Sequence, residues 1–144
     1  HFEGPTIPAT DLLTKPCDVL VPAAMGGVIS AEVAKELRTK LIVEGANGPT
    51  TPEGDEVLKE RGIVVLPDIY ANAGGVTVSY FEWVQNIQQF AWDYDRVRAE
   101  LDKVMRRAFG HLAATATKHR VDFRTAAFVL AIERVKYASD LRGY

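Results

Sequence analysis

The sequence has a single cysteine and no uninterrupted apolar segment of membrane-spanning length. Cys17 cannot form a disulfide within the chain, which favours a reducing compartment. The longest apolar run, residues 19–29, contains a proline and two glycines and is far shorter than the roughly 20 residues of a membrane span. The first residues do not show the pattern of a signal peptide. We therefore expect a cytoplasmic protein with no membrane partner.

The sequence also lacks an excess of charge of one sign. Its 17 basic and 19 acidic residues give a net charge of −2. A nucleic-acid-binding surface requires clustered basic residues, so no nucleic-acid partner is expected. The three histidines and the cysteine show no metal-ligand spacing, and no metal site is expected. A hydrophobic content of 47% is ordinary for a folded globular chain.

Neither G-x-G-x-x-G nor a P-loop occurs in the sequence. The first of these fingerprints binds pyrophosphate in the first βα turn of a Rossmann fold. Its absence means either that the chain is no nucleotide-binding domain or that the first half of such a domain lies outside it. Because the chain begins with His1 inside a loop-like stretch, we expect a piece of a longer protein.

Short apolar runs alternate with helical patterns in the first half of the chain. Strands are predicted at residues 18–21, 40–43 and 63–66. Helices are predicted between them, from a Ser30 cap and from a Thr51 cap followed by proline. This alternation is typical of parallel βαβ units, although three strands are few for an open sheet. We expect an α/β fold, the second half of a Rossmann-like doubly wound parallel sheet.

The second half of the chain reads as helices only. The pattern predicts a helix over residues 76–90, a long helix capped by Asp93 or Asp95, and a last helix capped by Asp122. Cys17 is expected in the core, as are four of the aromatic residues in this half. These aromatic residues are Phe81, Trp83, Phe90 and Trp92. The inward stripe of the last helix is predicted to contain Ala127, Leu130, Ala131, Val135 and Ala138.

Small and amide-bearing residues follow the predicted strands. Ligands bind outside the carboxyl ends of strands in open parallel sheets. Ala23 and Ala24 would permit close approach of a ligand, and Asn47 and Asn72 offer uncharged donors and acceptors that suit an amide and a ribose hydroxyl. The same residue types are common in plain turns. Ser79, near the predicted helix start, could bind a carboxylate or satisfy local backbone.

Two long motifs carry a family resemblance. Residues 44–53, EGANGPTTPE, and residues 72–86, NAGGVTVSYFEWVQN, closely resemble the C-terminal domain of glutamate dehydrogenases, within the glutamate/leucine/phenylalanine/valine dehydrogenase superfamily. Residues 17–24 and two segments of the last helix fit in the same order, so the resemblance covers essentially the whole chain. It implies reversible oxidative deamination of L-glutamate to 2-oxoglutarate and ammonia, with NAD or NADP, by a homo-oligomer that is a hexamer in the family.

The resemblance also implies roles for individual residues. It assigns cofactor contacts to Ala23, Ala24, Asn47 and Asn72. It assigns substrate contacts to Val76 and to Ser79, with Ser79 at the distal carboxylate of glutamate. The catalytic lysine and aspartate of the family lie in an N-terminal substrate domain that has no counterpart here, so no catalytic residue is assigned to this chain.

Residues 1–144 are accordingly expected to form a partial dinucleotide-binding domain, inactive alone and without the glycine-rich turn. Two alternatives stay open. One is a stand-alone, non-enzymatic binding or interaction module. The other is a leucine- or phenylalanine-type amino acid dehydrogenase, which residues 25–29 resemble, whereas residues 48–51 and Ser79 with residues 80–83 favour the glutamate branch.

Overall fold

The computed structural model describes residues 6–143 and divides the chain into two compact units, the first ending at Leu66 and the second beginning at Pro67. The first unit is an α/β layer structure and the second is built from helices. No helix in the described part of the chain is both long and apolar enough to cross a membrane.

Within residues 6–66, the first unit contains one parallel sheet of three strands. The strands are β1 (Val19–Leu20), β2 (Leu41–Val43) and β3 (Val64–Leu66), in the order β1-β2-β3. The helices are α1 (Ala9–Leu12), α2 (Ala31–Glu36) and α3 (Pro52–Glu60). Helix α2 connects β1 to β2, and α3 connects β2 to β3. The predicted α/β class, the three parallel strands and their alternation with helices are therefore confirmed.

The core of this unit lies between the sheet and the two crossover helices. The strand register places Leu20, Ile42 and Val65 side by side, and Ile42 is fully buried. Fully buried residues of α2, α3 and the segments beside α2 complete the cluster, namely Ile29, Ala34, Leu37 and Leu58. Because side chains alternate along a strand, Val19 and Val64 point to the opposite face, where each is about half exposed.

Local signals set the helix boundaries in this unit. The Ser30 hydroxyl accepts a hydrogen bond from the Val33 amide, and the Thr51 hydroxyl accepts one from the Gly54 amide at 3.1 Å. Pro52 occupies the first position of α3, and Gly62 follows its end with φ +68°. These are the caps that the sequence predicts, since each satisfies an otherwise unpaired terminal backbone group.

In the second unit, four helices lie within residues 67–143. They are α4 (Asp68–Ala71), α5 (Ala73–Gln88), α6 (Tyr94–His119) and α7 (Phe123–Leu141). Asp93 caps α6 by accepting from the Arg96 amide, and Asp122 caps α7 by accepting from the Thr125 amide. The core forms where α6 meets the first half of α7, around Leu112, Ala126 and Ala127. The long C-terminal helices that the sequence predicts are confirmed.

Several predictions of burial are wrong. Phe81 is buried, but Trp83 is 57% exposed because two residues along a helix turn a side chain about 200° from the first. Phe90 is exposed beyond the end of α5, and Trp92 is half-buried. On α7, Val135 and Ala138 are exposed because the core contacts lie near the start of that helix.

Cys17 is also exposed, against the prediction of a small buried hydrophobe. It precedes β1, which in the described part of the chain is an edge strand, so no second strand covers it on that side. The Cys17 amide donates a 3.1 Å hydrogen bond to the Arg38 carbonyl oxygen.

Candidate functional site

Two loops meet at the carboxyl edge of the sheet, residues 22–29 after β1 and residues 45–50 after β2, and we call them the paired loops. Backbone hydrogen bonds join them along their length: the amides of Ala46, Gly27 and Ile29 donate to the carbonyl oxygens of Pro22, Gly48 and Pro49 at 2.8–2.9 Å. Three such bonds between irregular segments fix each loop relative to the other. The two loops therefore form one hydrogen-bonded surface at the edge of the sheet rather than two independent turns.

Glycine allows the paired loops to approach closely. A Cβ atom on Gly45 would lie 3.1 Å from the Cβ of Ala23, and a Cβ on Gly26 would lie 3.1 Å from the Asn47 carbonyl oxygen. Both distances are shorter than ordinary contacts of a Cβ atom, so a larger residue at either position would require the neighbouring loop to shift by a few tenths of an ångström. Gly48 adopts φ +54°, a conformation that costs glycine little.

The residues predicted to face a cofactor in this unit lie together on the paired loops. Ala23 and Ala24 follow β1 after Val21 and Pro22, and both are exposed. Asn47 lies midway along the turn from Glu44 to Thr50 and is exposed as well. Two small side chains and one amide thus share an accessible edge with a fixed backbone, an arrangement that can accept a flat ring bearing an amide group.

Glu44 lies beneath this edge and was not among the predicted site residues. It follows the last residue of β2, its amide donates to the Leu66 carbonyl oxygen, and its exposed fraction is 0%. The Thr50 hydroxyl donates a 2.7 Å hydrogen bond to Glu44 Oε1. The signal available in the sequence was a charged residue placed directly after a buried apolar strand, where charges are seldom found unless they are paired.

Asn72 comes after β3 in the sequence, as predicted, but does not follow that strand directly. One helical turn, α4, stands between β3 and Asn72, and the Asn72 amide donates to the Asp68 carbonyl oxygen at 3.1 Å. The Tyr70 and Ala71 amides donate to the Pro67 carbonyl oxygen at 3.0 and 2.9 Å and close the turn, and Asp68 Oδ1 accepts from the Ile69 amide at 2.7 Å. Asn72 is half-buried at the junction of α4 and α5.

Helix α5 begins at Ala73, three residues earlier than predicted. Ser79 is therefore its seventh residue and lies beyond the first turn of the helix. The free amides and the positive end of the helix dipole are in that first turn, so Ser79 is not next to them. Its hydroxyl donates to the Gly75 carbonyl oxygen at 3.2 Å. Val76, 70% exposed, lies one turn before Ser79 on the same side of the helix.

An apolar stripe extends from this point along α5. Its members are Val76, Tyr80, Trp83 and Ile87, each more than half exposed. The Tyr80 and Trp83 rings stack with centroids 5.8 Å apart. The spacing of four, three and four residues places all of them on one side of the helix.

The comparisons with known proteins agree with one another. The model of the glutamate/leucine/phenylalanine/valine dehydrogenase family matches residues 2–143. A glutamate dehydrogenase from Thermotoga maritima is 56% identical over 141 residues, which are 98% of this chain and 34% of the relative. The chain thus spans about a third of the length of this curated relative.

Solved structures show the same likeness. The hetero-hexameric glutamate dehydrogenase from Thermus thermophilus, in its Leu-bound form, matches all of this chain and 35% of its own with a TM-score of 0.94 and 30% identity. The glutamate dehydrogenase from Peptoniphilus asaccharolyticus matches 85% of this chain and 31% of its own, with a TM-score of 0.81 and 47% identity.

Proposed function

The chain belongs to the glutamate/leucine/phenylalanine/valine dehydrogenase family, and from that premise we propose that it is the nicotinamide-facing part of an NAD(P)-dependent glutamate dehydrogenase. The complete enzyme would interconvert L-glutamate and 2-oxoglutarate with ammonia. Its proton-transferring residues and its glycine-rich turn would lie in a longer chain, and residues 1–144 would be inactive alone. The complete enzyme would be cytoplasmic.

The paired loops are the observation that supports this proposal most strongly. They hold Ala23, Ala24 and Asn47 at the carboxyl edge of a parallel sheet, where ligands of such sheets bind. The small side chains leave room for a flat ring. The Asn47 amide offers donors and an acceptor that complement a carboxamide or ribose hydroxyl without adding charge.

When bound, NAD(P) supplies the hydride acceptor for oxidation of the glutamate α-carbon. The contribution of this chain is positioning, because a hydride moves only between atoms held close together and aligned. We assign Asn47 to orienting the nicotinamide end of the cofactor, with Ala23 and Ala24 allowing its close approach. Asn72, at the junction of α4 and α5, is assigned a polar contact to the cofactor, as the family resemblance implies.

On α5, we assign Ser79 and Val76 to the substrate. The bond from the Ser79 hydroxyl to the Gly75 carbonyl oxygen, at 3.2 Å, is long for a hydroxyl donor. A carboxylate is a stronger acceptor than that carbonyl group, so the hydroxyl can turn towards it at small cost. Val76, exposed beside it, would contact the methylene groups of glutamate.

A substitution at Ser79 can distinguish a glutamate substrate from the alternative leucine or phenylalanine substrate. In the complete enzyme, Ser79→Ala should lower kcat/KM for glutamate by about tenfold or more, since a hydrogen bond to a charged group is lost. The kcat/KM for leucine, however low, should change by less than about threefold. Equal losses for both substrates would contradict the glutamate assignment.

We further propose that the complete enzyme is a homo-oligomer. The apolar stripe on α5 supports this, because apolar surface of that extent on one helix face usually marks a contact with other protein.

A further inference from the structure

Glu44 is a buried carboxylate that the proposed mechanism does not use. Full burial of an ionisable group is costly unless hydrogen bonds compensate for the lost water. The chain places this group directly under the paired loops, and one of its hydrogen bonds comes from the Thr50 hydroxyl at 2.7 Å. A fully buried carboxylate at this place either contributes to the stability of the fold alone or also fixes the conformation of the turn above it.

The geometry of the turn favours the second reading. Glu44 and Thr50 are the two ends of the turn that carries Asn47, so the bond between them closes the turn across its base. The backbone of Thr50 is fixed as well, because it forms an isolated parallel bridge with Ile29. The Glu44–Thr50 bond therefore fixes the side of the turn that faces the core, and the backbone bonds to residues 22–29 fix the side that faces the first loop.

From this arrangement we propose that Glu44 and Thr50 are positioning residues, which hold Asn47 in the conformation that binds the nicotinamide end of NAD(P). The inference rests on the proposed function. It adds two residues that contact no substrate and act through Asn47. A carboxylate suits this role because a charged acceptor forms shorter and stronger hydrogen bonds than a neutral one.

Thr50→Val tests the proposal in the complete enzyme, because it replaces the hydroxyl by a methyl group of similar size. The dissociation constant for NAD(P)H, measured by isothermal titration calorimetry, should rise about tenfold, which corresponds to the loss of one charge-assisted hydrogen bond. The KM for the cofactor should rise by a similar factor, while the KM for glutamate stays within about twofold. Thr50→Ser, which restores a hydroxyl, should recover most of the affinity.

The neighbouring threonine provides a matched control. The Thr51 hydroxyl accepts from the Gly54 amide as the cap of α3, whereas the bond that closes the turn joins Thr50 to Glu44. Thr51→Val should lower thermal stability as a lost cap does, yet leave the cofactor dissociation constant within about twofold. An equal loss of affinity in both valine variants would overturn the proposal, because the effect would then follow stability alone.

A double-mutant cycle with Asn47→Ala shows whether Thr50 acts through Asn47. If it does, Thr50→Val should weaken cofactor binding by less than about twofold in the Asn47→Ala background. Additive losses would overturn the proposal. If Asn47→Ala alone leaves cofactor binding unchanged, the assignment of Asn47 in the proposed function fails too. If Asn47→Ala weakens binding and Thr50→Val does not, only the positioning role is wrong.

Discussion

Replacing Gly54 with alanine should destabilise the chain, although alanine is the better helix former. Gly54 lies in the first turn of α3, and a Cβ atom there would stand 2.3 Å from the Ile29 carbonyl oxygen. An ordinary contact between carbon and oxygen is about 3.3 Å or longer, so roughly 1 Å of overlap must be relieved. The carbonyl group cannot move freely, because it accepts a 3.0 Å hydrogen bond from the Thr51 amide.

Two opposing terms set the magnitude. Alanine gains up to about 1 kcal/mol in helix propensity over glycine. Overpacking against fixed backbone costs typically about 1–3 kcal/mol and sometimes more. Steric overlap with a backbone atom belongs at the upper end, so we expect a net loss of about 2 kcal/mol. For chains of roughly 150 residues, each kcal/mol lowers the melting temperature by about 2–4 °C.

Thermal and urea unfolding of the chain, followed by circular dichroism, measure this loss. Gly110→Ala in α6 is the matched control, because a Cβ atom at Gly110 meets no atom within 4 Å. That variant should be more stable than the parent by up to about 1 kcal/mol. A Gly54→Ala chain as stable as the Gly110→Ala chain would refute the packing of α3 against Ile29.

Three further predictions concern a cap, a carboxyl group and a surface. Asp122→Ala should destabilise the chain by about 1–2 kcal/mol in urea unfolding, since the carboxylate caps α7 and also accepts from the Thr125 hydroxyl at 2.8 Å; a loss under about 0.3 kcal/mol would contradict this. The Ser30 hydroxyl, 2.7 Å from the Glu32 carboxylate, lowers the pKa of that group, so Ser30→Ala should raise it in an NMR titration. Because the folded pKa is lowered, the stabilisation is present above the unfolded pKa and is lost as the pH falls through the folded pKa; an unchanged pKa would contradict the contact. The 144-residue chain should self-associate in sedimentation velocity, and Trp83→Lys should shift it to smaller species; a monomeric parent would show that the α5 stripe does not drive association.

Local signals in the sequence predict much of this fold. The cap at Thr51 followed by Pro52, the cap at Ser30 and the glycine after α3 act over a few residues, so neighbouring residue types suffice to locate these helices. The three strands are likewise found because each is a short apolar run bounded by turn residues. In contrast, α4 is a single turn with no apolar periodicity, so the sequence does not predict the helical turn between β3 and Asn72.

Burial and pairing depend on the tertiary structure and are harder to predict. The exposed positions of Trp83 and Val135 follow from which side of each helix meets the core, and an apolar residue alone does not specify that side. The bond between Glu44 and Thr50 requires the turn to be closed before the two side chains meet. Ala23, Ala24 and Asn47 were placed correctly at the sheet edge because strand order alone puts them there, whereas their roles towards a cofactor remain predictions.

The most direct test of the proposed glutamate dehydrogenase function is a steady-state assay of NAD(P)-linked oxidation. The complete enzyme that carries this sequence is assayed with glutamate, leucine and phenylalanine, and the 144-residue chain is measured beside it. We predict that kcat/KM of the complete enzyme is highest for glutamate and that the 144-residue chain shows no turnover. Failure of the complete enzyme to oxidise glutamate, a preference for leucine or phenylalanine, or turnover by the 144-residue chain alone would contradict it.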